Sequence, residues 1–461
     1  MEWGDNATLV VQQLNRKQQQ SKIFYCNIKD GSSLNIYTEN DKEWIDIKTI
    51  WNDFDPAGWE WLDNKKQFIW VSEKDGWRHI YKEEKNGKEI LLTKGKYDIE
   101  SIKFIDEVNN CIYFSASPDN ATQLYLYKVK MDGKSNAVRV TPKGLEGTHT
   151  YVISPNGKWA SHSFSNYKTS PVTEWISLAD HKAIDEKNSI AATIKTEDQS
   201  QIKYTTITTA DGISLDAWIS FPKNFDSTKK YPTVFYVYGE PAASTVLDIY
   251  GRQQNYLYQG DMSADGYFQI GLDNRGTPSL KGASWRRAIY RKIGTINIRD
   301  MAMGAKKIIE KSYFDKDRIA VWGWSGGGSS TLNLMFQYPE IFKTGIAIAA
   351  VANQLFYDNI YQERYMGLPQ ENREDFIAGS PVTYAKNLVG NLLYIHGTGD
   401  DNVHYDNAEV LLNALIKYNR QFQFMSYPNR THEISEGEGT RLHLATLYTE
   451  YLKKYCEPGG R

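Results

Sequence analysis

Apolar and polar residues follow two different rhythms along this chain. Over residues 1 to about 195, short runs rich in Tyr, Trp, Ile and Phe alternate with polar Gly and Asn turns, and little helical periodicity is present. That pattern predicts an all-β region of short strands. A loose internal repeat runs through it. His79-Ile80-Tyr81-Lys82, Asn86-Gly87-Lys88 and Leu92-Thr93-Lys94-Gly95 return as Leu124-Tyr125-Leu126-Tyr127-Lys128, Asp132-Gly133-Lys134 and Val140-Thr141-Pro142-Lys143-Gly144. The period of about 46 to 49 residues fits one four-stranded propeller blade, so the segment has room for about four blades. Ser154-Pro155-Asn156-Gly157-Lys158-Trp159 reads as a turn joining two strands within a blade.

From about Ile202 the rhythm lengthens. Asp211 to Ile219 predicts a hairpin-like start, Tyr231 to Tyr238 and Tyr267 to Leu272 buried strands, Arg299 to Lys311 a helix, and Arg318 to Trp322 a further strand. Strands alternating with helices predict a mostly parallel sheet with helices on both faces, with active residues at the C-terminal ends of its strands. The expected organisation is a partial β-propeller over 1–197 and an α/β-hydrolase domain over 198–461.

Candidate chemistry enters at Gly323-Trp324-Ser325-Gly326-Gly327, where the apolar strand Ile319-Ala320-Val321-Trp322 runs into the helix-like Thr331 to Phe336. A G-x-S-x-G between strand and helix is a nucleophile elbow, and Ser325 is its nucleophile. A serine hydroxyl needs a base and a group that orients that base, expected in the order Ser, acid, His. The strand Asn391 to Ile395 ends in His396-Gly397-Thr398-Gly399-Asp400-Asp401-Asn402, which makes Asp400 the orienting acid, with Asp401 as the alternative. The strand Phe422 to Tyr427 leads to Pro428-Asn429-Arg430-Thr431-His432, which puts His432 where the base is required. His396 at a strand end, His404 beside the acid and His443 in a terminal helix beginning near Thr440 have structural explanations instead.

Val237-Tyr238-Gly239-Glu240-Pro241, Asp273-Asn274-Arg275-Gly276-Thr277, the elbow, Tyr357 to Gly367 and His396 to His404 together resemble the prolyl oligopeptidase clan, and within it the dipeptidyl peptidase IV subfamily. The resemblance is strong over roughly residues 200 to 456. It implies that the Tyr238 hydroxyl and the Gly326 N–H form an oxyanion hole. It further implies that Tyr357, Tyr361 and Val403 wall a proline-sized S1 pocket and that Asn402 contacts the substrate backbone. A plainer account of Tyr357 and Tyr361, four apart, is an aromatic helix face packed in the core. Three departures stand out. Gly326 and Gln354 occupy positions where the subfamily commonly has tyrosine and tryptophan, which predicts a wider S1 pocket, and Glu433 follows His432 where a small residue is usual. The resemblance implies a serine-type peptidase acting on short peptides through an acyl-enzyme, dipeptidyl-peptidase-like, with proline or a small residue at P1. An acyl-peptide hydrolase or esterase on the same triad, or an inactive binding fragment, are the alternatives.

Composition adds limits. The 461 residues are 41% hydrophobic with a net charge of -2, which argues against an extended nucleic-acid surface. No run approaches the roughly 18 to 20 continuous apolar residues of a membrane span. Cys26, Cys111 and Cys456 offer neither metal-ligand spacing nor a disulfide framework. No metal and no cofactor is implied; the expected partners are short peptides, and a homodimer is compatible with the sequence. Met1-Glu2-Trp3-Gly4-Asp5 lacks the basic start and apolar core of a secretion signal. Relatives with seven or eight blades make this chain an expected N-terminal truncation, with Met1 internal to a longer parent of periplasmic or secreted type. Glu83-Glu84 is expected to be a solvated surface pair rather than an ammonium site.

Overall fold

A computed structural model describes residues 1–47, 59–63, 67–84, 87–194 and 201–461. The chain forms two compact units: Met1–Asp198 with Leu247–Tyr250 and Ser279–Trp285, and the remainder, Gln199–Val246, Gly251–Pro278 and Arg286–Arg461. The expected boundary at 197/198 lies outside the described residues.

The first unit consists of antiparallel sheets, the blades of a partial propeller. They are β1–β4 (Glu2–Trp3, Thr8–Leu14, Gln20–Asn27, Ser33–Asn40), β5–β8 (Trp59–Leu62, Gln67–Ser72, His79–Glu84, Glu89–Leu91), β9–β12 (Ile99–Asp106, Cys111–Ala116, Tyr125–Lys130, Val138–Arg139) and the three-stranded β13–β15 (Thr148–Ile153, Trp159–Asn166, Thr169–Ser177). The sequence repeat corresponds to the outer strand pairs β7–β8 and β11–β12, with Gly87 and Gly133 at positive φ in the turns; Asn86 lies outside the described residues. The predicted turn at Ser154–Trp159 does join β13 to β14, closed by Ser154 N–H donating to Trp159 O at 2.9 Å. One apolar layer, including Val10, Trp70, Ile80, Ile99 and Phe114, links the first three sheets, and Tyr113, Leu126, Tyr151, Ala160 and Ile176 link the third to the fourth. A short helix, α1 (Ile190–Thr193), follows β15.

Glu83 corrects the expectation of a solvated pair. Strand alternation turns its side chain inward, where it is buried 3.5 Å from Lys74 Nζ, and burial raises its carboxyl well above the usual range. The Glu84 side chain lies outside the described residues.

The second unit is built on an eight-stranded sheet in the order β16-β17-β19-β18-β20-β21-β22-β23. Its strands are β16 (Ile202–Thr208), β17 (Ser214–Ser220), β18 (Tyr231–Tyr236), β19 (Phe268–Leu272), β20 (Phe314–Trp324), β21 (Thr344–Ile348), β22 (Asn391–Gly397) and β23 (Gln423–Tyr427). The hairpin β16–β17 and the pair β17–β19 are antiparallel, and every other pairing is parallel. Successive residues of the central strands are buried on opposite faces. Ile319 and Val321 join a core with helices α3 (Ile296–Ile308), α4 (Gly326–Gln337) and α7 (Asp406–Lys417), while Ala320 and Trp322 join one with α8 (Thr440–Tyr455). Shorter helices are α2 (Ala283–Arg287), α5 (Asn359–Met366) and α6 (Pro369–Gly379). This is the α/β-hydrolase arrangement the alternation predicts, with helices on both faces. Strand β18 stops at Tyr236, two residues short of the predicted end, so Tyr238 stands on the loop beyond it.

Candidate active site

Four predicted site residues follow the C-terminal ends of parallel strands: Tyr238 after β18, Ser325 after β20, Asp400 after β22 and His432 after β23. Ser325 sits between β20 and α4 at φ 58 and ψ -121, a region that non-glycine residues rarely occupy. The flanking glycines explain how the turn closes. A Cβ on Gly327 would stand 2.3 Å from Val237 O, and one on Gly323 would stand 2.5 Å from both Val237 O and the Gly327 carbonyl. Only bare backbone fits there. Ser325 N–H donates to Ile348 O at 2.9 Å, tying the elbow to the neighbouring strand.

His432 Nδ1 lies 2.9 Å from Asp400 Oδ2. A carboxylate only accepts, so Nδ1 carries the proton and Nε2 presents its lone pair. Trp324 Nε1 donates to His432 O at 3.0 Å and holds the loop from the elbow side. The second oxygen of Asp400 accepts the N–H groups of Asn402 at 3.0 Å and Val403 at 2.8 Å. Burial opposes ionisation of Asp400, yet hydrogen bonds from His396 and His432, reinforced by the Val403 N–H, hold its carboxyl well below the usual range. Asp401 is exposed, so Asp400 is the carboxylate beside His432. His404 is exposed, and His443 Nδ1 instead meets the Tyr427 hydroxyl at 2.7 Å.

Ser325, His432, Tyr238, Asn402, Glu433 and Arg441 line one cavity of about 540 Å³. Burial, then the nearby Glu240, raise the pKa of the Tyr238 hydroxyl, and the proximity of Ser325 works in the opposite direction. Gly326 opens α4, where first-turn N–H groups have no partner within the helix. Glu433 is exposed at the cavity edge.

Tyr357 and Tyr361 do not share a helix face. Tyr357 precedes α5, and the intervening Asp358 caps that helix by accepting from Tyr361 N–H at 2.9 Å. The two rings meet edge to face with centroids 5.3 Å apart, and the Tyr357 hydroxyl donates to Asn402 Oδ1 at 2.8 Å. Val403 is fully buried and bears on the site through its backbone.

Two residues join the site that the sequence reading passed over. His396, read there as a strand-end residue, is fully buried and places Nε2 2.8 Å from Val403 O and 3.2 Å from Asp400 Oδ2. Its position four residues before Asp400 was the available signal. Glu240, inside a motif quoted for Tyr238, is buried and accepts the Tyr361 hydroxyl at 3.0 Å. Burial pushes its carboxyl up to about 7 against the lowering pull of that hydrogen bond. A Cβ on Gly326 would stand 3.0 Å from the Glu240 carboxyl carbon, so the space left by the missing tyrosine borders a carboxyl group instead of simply widening the pocket.

Residues 257–458 match the prolyl oligopeptidase family, and residues 1–171 match the dipeptidyl peptidase IV (DPP IV) N-terminal region. The chain belongs to the prolyl oligopeptidase family. Its relatives include the dipeptidyl peptidase 4 of Trichophyton equinum, 32% identical over 77% of this chain and 46% of that protein, and that of Trichophyton rubrum, 30% identical over 87% and 52%. The crystal structure of Porphyromonas gingivalis dipeptidyl peptidase 4 superposes with a TM-score of 0.85 at 28% identity, covering 97% of this chain and 62% of that one. The chain thus spans about half the length of the curated relatives it matches. This is a family of serine peptidases, which implies peptides as substrates. Among the described residues no helix is long and apolar enough to cross a membrane.

Proposed function

We propose that the chain is a serine-type peptidase that cleaves short peptides through an acyl-enzyme, dipeptidyl-peptidase-like but without the strict dipeptide register of its relatives, with proline or a small residue at P1. The observation that carries this reading is the 2.9 Å contact between His432 Nδ1 and Asp400, which leaves Nε2 as a base in the cavity that Ser325 lines. Ser325 Oγ attacks the scissile carbonyl while His432 Nε2 takes its proton; Asp400 fixes the tautomer and stabilises the imidazolium. The Tyr238 hydroxyl and the Gly326 N–H receive the charge that develops on the carbonyl oxygen. His432 returns the proton to the leaving amine, and water then repeats the sequence to release the acyl group. Tyr357 and Tyr361 wall S1, with Asn402 and Val403 beside them.

Labelling with a fluorophosphonate probe, followed by hydrolysis of Xaa-Pro and Xaa-Ala chromogenic substrates, tests this reading. Stoichiometric labelling at Ser325 with amide turnover supports it, and an unlabelled folded chain overturns it. The side-chain-free Gly326 gives an acyl-peptide hydrolase or esterase second place; esters turned over with no amide hydrolysis would favour it.

A further inference from the structure

Three histidines gather in the last sheet of the first unit. His149 is on β13 and His162 on β14. Glu174, on β15, is the cross-strand partner of His162, and His181 lies in the turn after β15 at φ 57. His162 is fully buried, and the Glu174 side chain is 9% exposed. His149 Nε2 lies 2.9 Å from Leu145 O, His149 Nδ1 lies 2.8 Å from His162 Nε2, and His162 Nδ1 lies 2.8 Å from Glu174 Oε1.

Each of these three contacts needs a hydrogen between its heavy atoms. Two neutral imidazoles carry only one N–H apiece. Leu145 O can only accept, so the His149 proton is on Nε2, and His149 Nδ1 takes the proton of His162 Nε2. With both rings neutral, His162 Nδ1 then turns a lone pair toward a carboxylate oxygen, a contact that a proton or a metal ion between them completes. Glu174 Oε2 is already engaged by Ile190 N–H at 2.9 Å, which fixes the carboxylate in place.

His181 completes the set. His162, Glu174 and His181 each offer a ligand atom, all within 4.8 Å of one another. Two imidazoles and a carboxylate are the donor types of a zinc site, with ligand bonds of about 2.0–2.2 Å. The hydrogen bond from His162 Nε2–H to His149, itself anchored on a backbone carbonyl, is the outer support that metal-bound histidines use to fix their tautomer. We propose that His162, Glu174 and His181 form a binding site for a zinc-class divalent metal ion, with His149 orienting His162. The ion places positive charge between His162 Nδ1 and Glu174, and ties the His181 turn to β14 and β15.

The test is titration of the purified, chelator-stripped chain with Zn²⁺ by calorimetry, and with Co²⁺ as an absorption probe. One ion per chain is expected, with a rise in Tm on Zn²⁺ addition. Glu174→Gln and the part-exposed His181→Ala should weaken Zn²⁺ binding by about 100-fold or more, and His149→Asn by about 10- to 100-fold. His432→Ala, in the other unit, should bind as the parent does. Far-UV circular dichroism confirms that the variants fold. Absence of binding to the parent chain overturns the proposal, as does undiminished binding to both folded Glu174→Gln and His181→Ala.

Discussion

The Tyr361 hydroxyl donates to Glu240 Oε2 at 3.0 Å, which puts an ionisable group against the ring that family resemblance assigns to a proline pocket. Below about pH 4.5 the Glu240 carboxyl is protonated in both folded and unfolded chains. Between 4.5 and about 7 the folded chain keeps the proton and the unfolded chain has lost it, so this group makes stability fall as pH rises through that window. Above about pH 7 its effect is constant. Relative to Glu240→Gln, the parent Tm should therefore drop from pH 4.5 to 7 and then run parallel; a constant offset from pH 4.5 upward would show that the carboxyl is not perturbed.

Ser325→Ala removes one oxygen from a backbone already held by Gly323 and Gly327. Fluorophosphonate labelling and amide hydrolysis should both disappear with Tm unchanged within a few degrees. Persistent labelling would put the nucleophile elsewhere.

Tyr238→Phe should lower kcat by about 10²- to 10³-fold with a much smaller change in KM, the loss expected for one oxyanion donor. Single-turnover acylation is the appropriate measurement. An unchanged acylation rate makes Tyr238 a packing residue.

His396→Phe keeps the ring volume and removes one donor from Asp400. The expected result is a loss of about tenfold in kcat/KM, about 1.4 kcal/mol of transition-state stabilisation, together with an upward shift of the acid limb of the pH–rate profile. A rate equal to that of the parent at every pH would assign His396 to the core alone.

Glu83 is buried against Lys74 and so is not a free carboxylate for a substrate ammonium. Free and N-acetylated Xaa-Pro substrates should then differ little in kcat/KM. A preference of about 100-fold for the free amine, roughly 2.7 kcal/mol, would require another anionic site.

Most of the architecture is legible in the sequence because it rests on local patterns. The elbow is written in Gly323, Ser325 and Gly327, and both later loops announce themselves by following apolar strands. What escaped depends on contacts far apart in the chain. Glu240 and Tyr361 are 121 residues apart, and nothing in either neighbourhood marks one as the partner of the other. Glu83 was misjudged because its Lys-rich surroundings outweighed strand alternation. His149, His162, Glu174 and His181 come together only through the register of β13, β14 and β15, which spacing alone does not reveal.

The order of strands in the second unit also bears on when the chain becomes competent during synthesis. Ser325 leaves a central strand, β20, whereas His432 follows β23, an edge strand and the last of this sheet in chain order. A chain ending after β22 contains the elbow but lacks His432, the base of the proposed mechanism. The proposed hydrolysis therefore awaits synthesis of the loop after β23, and a product stopped short of that strand should carry Ser325 without its base.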